Sequence, residues 1–232
     1  NLFLGAVATQ ADGKIVMAGA DEAGVLLVRL LEDGAFDPSF GAGGVVSTGA
    51  LPGTFPAPDA VAVQPDGKIV IAGSTEIAAN EDFLVARFLP DGQLDPSFGG
   101  GDGSVTFPVG AERDQAFALA LGAGERILVT GEAQMPGSNK AVAVAVLRSN
   151  GEPDPAFSAD GVTTVETPVE DDEGEGIAEA PGGDLVIADE SGAGAGQGFT
   201  IVKLLPSGSP DPGFGTAGIA QTPIPGSTAG RS

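Results

Sequence analysis

Short apolar runs divided by turn residues fill the chain, and they recur with a period. In the clearest copy, Ala60-Val61-Ala62-Val63-Gln64 leads into Pro65-Asp66-Gly67-Lys68 and then Ile69-Val70-Ile71-Ala72-Gly73. Two apolar runs joined by a P-D-G turn predict a β-hairpin, strands A and B of a unit. A polar stretch follows, then Phe83-Leu84-Val85-Ala86-Arg87-Phe88-Leu89 and a second turn at Pro90-Asp91-Gly92. The tetrapeptide Asp95-Pro96-Ser97-Phe98 and a last run, Ser104-Val105-Thr106-Phe107, complete strands C and D. The block occurs four times. Its D-P-x-F tetrapeptides start at Asp37, Asp95, Asp154 and Asp211, which are 58, 59 and 57 residues apart (95−37, 154−95, 211−154). Copies three and four keep the apolar runs, as in Ile127-Leu128-Val129 and Leu185-Val186-Ile187. They replace D-G-K by Gly124-Glu125-Arg126 and Gly182-Gly183-Asp184, and the second turn by Ser149-Asn150-Gly151 and Pro206-Ser207-Gly208.

The strands are apolar on both faces, as a sheet sandwiched between neighbouring sheets requires. Strand A carries small residues (Ala6, Ala8, Ala60, Ala62, Ala118, Ala120) and strand C bulkier ones, which suits a wedge narrow at one edge. A period in the upper fifties built from short strands points to an array. The expectation is an all-β fold, a β-propeller of four four-stranded antiparallel blades. It forms one repeat domain over residues 1–232, with blades near 1–59, 60–115, 116–176 and 177–232. Four blades close into a small ring or form the arc of a larger propeller. An arc would leave apolar faces bare and favour a homodimer. A first residue Asn1 rather than Met fits a processed N-terminus or a piece excised from a longer protein.

Composition removes several classes of function. Ten Lys and Arg against 32 Asp and Glu give a formal charge of −22, which repels phosphate backbones and anionic membrane surfaces. Nucleic acid and membrane insertion are therefore not expected, and the longest apolar run, Ala141 to Leu147, is too short to span a bilayer. The chain has no Cys and no His, so disulfides, thiolate metal sites and the commonest general base are all missing. It also lacks Trp and Tyr, which weakens a sugar-binding reading that would lean on aromatic stacking.

The repeat residues have a structural reading. Asp37, Asp95, Asp154 and Asp211 stand before Pro, where a carboxylate caps a turn, and Phe40, Phe98, Phe157 and Phe214 plug the space between blades. Strand C places a cation 8, 8, 6 and 8 residues before each Asp (37−29, 95−87, 154−148, 211−203), at Arg29, Arg87, Arg148 and Lys203. A charge in an apolar strand must be paired or reach water, so an ion pair within each blade is expected. Gly19, Gly73 and Gly131 end strand B, with Asp189 in the fourth copy, and mark close backbone approach rather than phosphate binding. No cofactor is expected.

The run Q-P-D-G-K-I-V-I-A-G (Gln64 to Gly73) with F-L-V-A-R-F-L-P-D-G-Q-L-D-P-S-F-G (Phe83 to Gly99) closely resembles the bacterial delta-60 repeat. The resemblance extends over nearly the whole chain and is strongest in the first two copies. It implies a β-propeller in a large, exported bacterial protein, with an extracellular or cell-surface location, and it implies no particular activity.

Antiparallel order sends the A–B and C–D connections to one end of a blade and the B–C and D–A connections to the other. The first end holds the repeated turns. The second holds loops of varied length carrying Asp21, Glu22, Glu76, Glu81, Asp82, Glu112, Asp114, Glu132, Glu166 and Asp189, with few bases. Variable loops on a rigid scaffold make a binding surface, here for a basic protein or a cation. The densest stretch, Glu170, Asp171, Asp172, Glu173 and Glu175, offers oxygens to Ca²⁺ without the EF-hand spacing. The leading reading is a non-catalytic interaction module. Its rivals are a ligand- or carbohydrate-binding propeller and a glycosidase or lyase working through carboxylates such as Glu166, Asp171 and Glu175.

Overall fold

The computed structural model describes residues 3–49, 51–136, 139–168, 172–190 and 198–223. Four sheets form, each of four antiparallel strands taken in chain order. The first contains β1 (Phe3–Thr9), β2 (Ile15–Asp21), β3 (Gly24–Leu30) and β4 (Val45–Thr48). The second contains β5 (Thr54–Val63), β6 (Ile69–Ile77), β7 (Asn80–Phe88) and β8 (Ser104–Phe107). The third is β9 (Asp114–Leu121), β10 (Ile127–Gln134), β11 (Lys140–Leu147) and β12 (Val162–Val165); the fourth is β13 (Glu173–Glu179), β14 (Leu185–Glu190), β15 (Gly198–Leu204) and β16 (Ile219–Pro223). This is the all-β architecture of a four-bladed β-propeller.

Two compact units divide the chain. One holds residues 1–107 together with the turn at 148–152, and the other holds 108–147 and 153–232. In the first unit, Val16, Val25, Leu27 and Phe40 of one blade pack with Ile69, Ile71, Leu84 and Phe88 of the next. The second unit has an equivalent core, with Leu128, Val142, Val144 and Phe157 packed with Leu185, Ile187, Val202 and Leu204. The middle strands β6, β7, β10 and β11 are buried along both faces, which explains their unbroken apolar runs.

Eight five-residue turns make all the A–B connections and begin all the C–D connections. In each, the first residue's N–H donates to the fifth residue's carbonyl, as in Gln64 to Lys68 and Leu89 to Gln93, both at 2.7–2.8 Å. The fourth residue has a positive φ, between 82° and 92° at Gly13, Gly34, Gly67, Gly92, Gly151, Gly183 and Gly208. Glu125 occupies that place in the third blade at φ 61°. The Asp at position three accepts the N–H of position five, as Asp66 does from Lys68 at 3.1 Å and Asp91 from Gln93 at 3.0 Å.

The blade limits differ from the sequence expectation. Strand A starts at Thr54, Asp114 and Glu173, ahead of 60, 116 and 177. In every blade a register shift divides strand A, opposite the end of strand B, and in the three later blades the stretch before it is interrupted by proline, glycine or charged residues, so the continuous apolar pattern begins only after the bulge. The close approach accounts for glycine there: a Cβ on Gly19 would lie 2.0 Å from the Phe3 carbonyl oxygen, and one on Gly131 1.8 Å from that of Gln115.

Candidate functional site

At the turn end, strand C aims its cation at the D-P-x-F carboxylate. Arg29 Nε donates to Asp37 Oδ2 at 2.8 Å, and Arg87 Nε to Asp95 Oδ2 at 2.8 Å, with both pairs almost wholly buried. The other carboxylate oxygen is also satisfied. Asp37 Oδ1 accepts from the Ser39 N–H (2.9 Å) and hydroxyl (2.7 Å), and Asp95 Oδ1 accepts from Ser97 in the same way. The hydrogen bonds from Ser39, aided by Arg29, hold the Asp37 carboxyl far below its usual range. Burial pushes Asp95 up, but Ser97 and Arg87 together outweigh it and leave it lowered.

The same guanidinium groups join blade to blade. Arg29 also donates to the Pro90 carbonyl and Arg87 to the Ser149 carbonyl, each in the C–D turn that follows one repeat later. Arg29 lies 4.5 Å over the Phe40 ring and Arg87 4.7 Å over Phe98. Those rings cover the next turn's glycine: a Cβ on Gly92 would come within 3.0 Å of Phe40, and one on Gly151 within 2.8 Å of Phe98. Lys14 and Lys68, from the D-G-K turns, complete the clusters at 3.5 Å from Asp37 and 3.7 Å from Asp95. The recurring Lys was the signal for this second cation.

The later blades vary the arrangement. Lys203 Nζ bonds Asp211 Oδ2 at 2.8 Å and Asp184 at 2.9 Å, and its bond lowers the Asp211 carboxyl. In the third blade Arg148 is exposed and lies 3.8 Å from Glu152, while Arg126 approaches Asp154 at 3.9 Å. The strand-C pair expected there gives way to one from the A–B turn, in the place of Lys14 and Lys68, because the shorter spacing of 6 residues (154−148) carries Arg148 past the strand's end into the turn. Phe40, Phe98 and Phe157 are buried, whereas Phe214 is only half-buried.

At the opposite end the acids are less exposed than their sequence suggests. Glu76, Glu81 and Asp82 lie in strands, because β6 and β7 run on to a tight turn at Ala78-Ala79 (φ 53° and 66°). Asp114 is fully buried and accepts the N–H groups of Val109 (2.7 Å) and Gly110 (3.0 Å). Asp172 is likewise buried, accepting from the Thr167 N–H at 2.8 Å and its hydroxyl. Asp189 accepts the Glu173 N–H at 2.8 Å, across the bulge where the other blades have glycine. These carboxylates cap the chain's re-entry into strand A.

Of the acidic stretch proposed for Ca²⁺, Glu170 and Asp171 lie outside the described residues. Asp172 is engaged as a cap, and Glu173 is bound to Lys140, which also pairs with Glu132. Among the described residues no three metal-ligating side chains gather. Glu166 and Glu175 are exposed. The Glu132–Lys140–Glu173 cluster was not assembled from sequence, since its members are distant in the chain and β10, β11 and β13 bring them together. Burial pushes the Glu132 carboxyl up; Glu173, also raised by burial, is pulled below its usual value by the hydrogen bonds of Lys140 and Glu132. Burial opposes the charge on Lys140, and its two carboxylates prevail to raise it.

Among curated proteins none matches the sequence. The solved structures it resembles include Drosophila semaphorin 1b, extracellular domains 1–2 (12% identity, TM-score 0.48), where 87% of this chain spans 40% of the other. A virginiamycin B lyase from Staphylococcus aureus with quinupristin aligns over 97% of this chain and 85% of its own (11% identity, TM-score 0.38). A GH43_12 protein from a capybara gut metagenome aligns over 87% and 40% (9% identity, TM-score 0.42). A family model described as a domain of unknown function (DUF5122) beta-propeller matches residues 10–40 and 64–98, the segments from the first turn to the D-P-x-F phenylalanine in blades one and two. With the four four-stranded sheets, that match supports a β-propeller repeat family for this chain.

Proposed function

We propose that this chain is a non-catalytic interaction module, a delta-60-type propeller of an exported bacterial protein that presents its B–C and D–A loops to a basic partner. One contrast carries the reading. The turn end repeats a single five-residue turn eight times and consumes its carboxylates in ion pairs and caps. The other end is varied, with B–C connections of two, two, five and seven residues (22–23, 78–79, 135–139, 191–197) and a surplus of acids. Calorimetric titration with a hexalysine peptide as probe tests the assignment. Binding should fall at least about tenfold when Glu22, Glu76 and Glu112 are changed together to Gln, and should persist when Asp33, Asp91 and Asp160 are changed to Asn. Equal losses in both variants would show that net charge alone is responsible.

A second reading, a carboxylate-dependent hydrolase or lyase, draws on the opposed displacement of Glu132 and Glu173, the pattern by which two acids divide into proton donor and base. Turnover of a polysaccharide panel, abolished in Glu132→Gln, would support it. A wild-type protein inert across the panel would remove it.

A further inference from the structure

Of the four asparagines in the chain, only Asn150 precedes a glycine. A following glycine has no Cβ to keep its nitrogen away from the asparagine side chain, so an Asn-Gly pair loses its side-chain amide more readily than asparagine before a bulkier residue. The pair occupies positions three and four of the third blade's C–D turn, where the first two blades carry Asp33-Gly34 and Asp91-Gly92. Asn150 caps that turn as the aspartates do. Its Oδ1 accepts the Glu152 N–H at 3.1 Å, as Asp33 accepts that of Ala35 and Asp91 that of Gln93, both at 3.0 Å.

The side chain of Asn150 is open to water, whereas Gly151 beside it is buried. The turn at 148–152 belongs to the first compact unit, together with the phenylalanine that covers it. Three carbons of the Phe98 ring lie 2.8–2.9 Å from a Cβ placed on Gly151. Hydrogen bonds hold the main chain on either side of the reactive bond. The Ser149 carbonyl accepts from Arg87, the Asn150 carbonyl from the Gly99 N–H at 2.9 Å, and the Gly151 N–H donates to the Arg148 carbonyl at 2.9 Å. For the Gly151 nitrogen to act as a nucleophile it must give up its proton and turn toward the Asn150 Cγ. With the N–H bonded to a carbonyl and the ring packed above it, neither movement is open.

We propose that Asn150-Gly151 is a deamidation site guarded by Phe98, which reacts only while the ring is lifted from the glycine. The Gly151 nitrogen then forms a bond to the Asn150 Cγ, and its proton leaves with the side-chain nitrogen as ammonia. A five-membered succinimide results. Water that breaks its Cγ–N bond leaves aspartate, and water that breaks the bond to the main-chain carbonyl leaves isoaspartate. Aspartate restores the turn of the first two blades. Isoaspartate lengthens the main chain by one carbon inside a turn closed by the Arg148 N–H to Glu152 carbonyl bond of 2.8 Å, so Gly151 no longer fits beneath Phe98. One opening is thereby recorded irreversibly. The site lies among the repeated turns, and its test is separate from that of the acidic loops.

Intact mass and peptide mapping of the whole chain, incubated at mildly alkaline pH, follow the loss of the Asn150 amide. Folded wild-type protein should react at least about tenfold more slowly than the same protein in guanidinium chloride, because the reaction waits on local opening. Phe98→Ala should abolish most of that protection, with its fold checked by far-ultraviolet circular dichroism. If it does not fold, Phe98→Leu, which keeps an apolar contact but loses the ring, takes its place. Equal rates in folded and unfolded wild-type protein, or a folded Phe98 variant as slow as wild type, would overturn the guard. An amide that survives in guanidinium chloride would overturn the site itself. Wild-type protein aged in guanidinium chloride and refolded should carry isoaspartate, detected by enzymatic methylation, and unfold at a lower midpoint than Asn150→Asp. Equal midpoints would overturn the lasting effect on the turn.

Discussion

Arg87 and Asp95 lose nearly all contact with water, so each depends on the other and on the serine and carbonyl that take up their remaining hydrogen-bonding capacity. Removing one partner strands a buried charge. Asp95→Asn is expected to cost about 3 kcal/mol, and the double variant with Arg87→Ala should lose clearly less than the sum of the single losses. Urea unfolding of the four proteins measures this, and additive losses would count against the coupling. The pH dependence has a definite sign. Asp95 is lowered in the folded chain, so the unfolded chain takes up the proton first. Its contribution is whole above about pH 5 and is lost as pH falls through the unfolded value near 3.9 and on toward the folded one. Asp95→Asn should therefore be less stable at neutral pH and show a shallower loss of stability in acid.

Elements succeed or fail here by their turns. Seven of the eight turns place glycine at the positive-φ position, and the third blade places Glu125 there at φ 61°. Left-handed backbone costs an L-residue with a side chain roughly 1 kcal/mol relative to glycine. Glu125→Gly should accordingly stabilise by about 0.5–1 kcal/mol in thermal or urea unfolding, a gain offset in part by glycine's greater freedom in the unfolded chain. A loss would mean that this turn does not follow the other seven. The plug is the other element-scale determinant. Phe98→Ala, which empties a fully buried site against Gly151, should cost about 3–5 kcal/mol. Phe214→Ala, at a half-buried site, should cost well under half as much in dilute solution, where unfolding midpoints compare the two directly.

On the scale of the whole molecule, a formal charge of −22 opposes compaction. Salt screens that repulsion, with a Debye length falling from about 8 Å at physiological strength to about 3 Å at 1 M, while buried pairs such as Arg29–Asp37 are screened much less. The thermal midpoint should rise with NaCl over this range. A falling midpoint would show that exposed ion pairs, Lys14–Asp12 and Lys68–Asp66 among them, matter more than the general repulsion.

The sequence by itself determined the four units, their sixteen strands and their turns, because short-range chemistry suffices for these: P-D-G chooses a turn, and an apolar run must be covered on both faces. It also determined the spacing of 8 residues (37−29, 95−87) that returns each D-P-x-F carboxylate to its arginine. Tertiary structure decided what needed partners distant in the chain. It joined Glu132 and Lys140 to Glu173, buried Asp114 and Asp172 as caps where a list of acids reads as open charge, and moved the partner of Asp154 from strand C to Arg126 in the A–B turn. The physical reason is that turn type and apolar periodicity act over a few residues, whereas the desolvation of a carboxylate depends on which neighbouring strand arrives beside it.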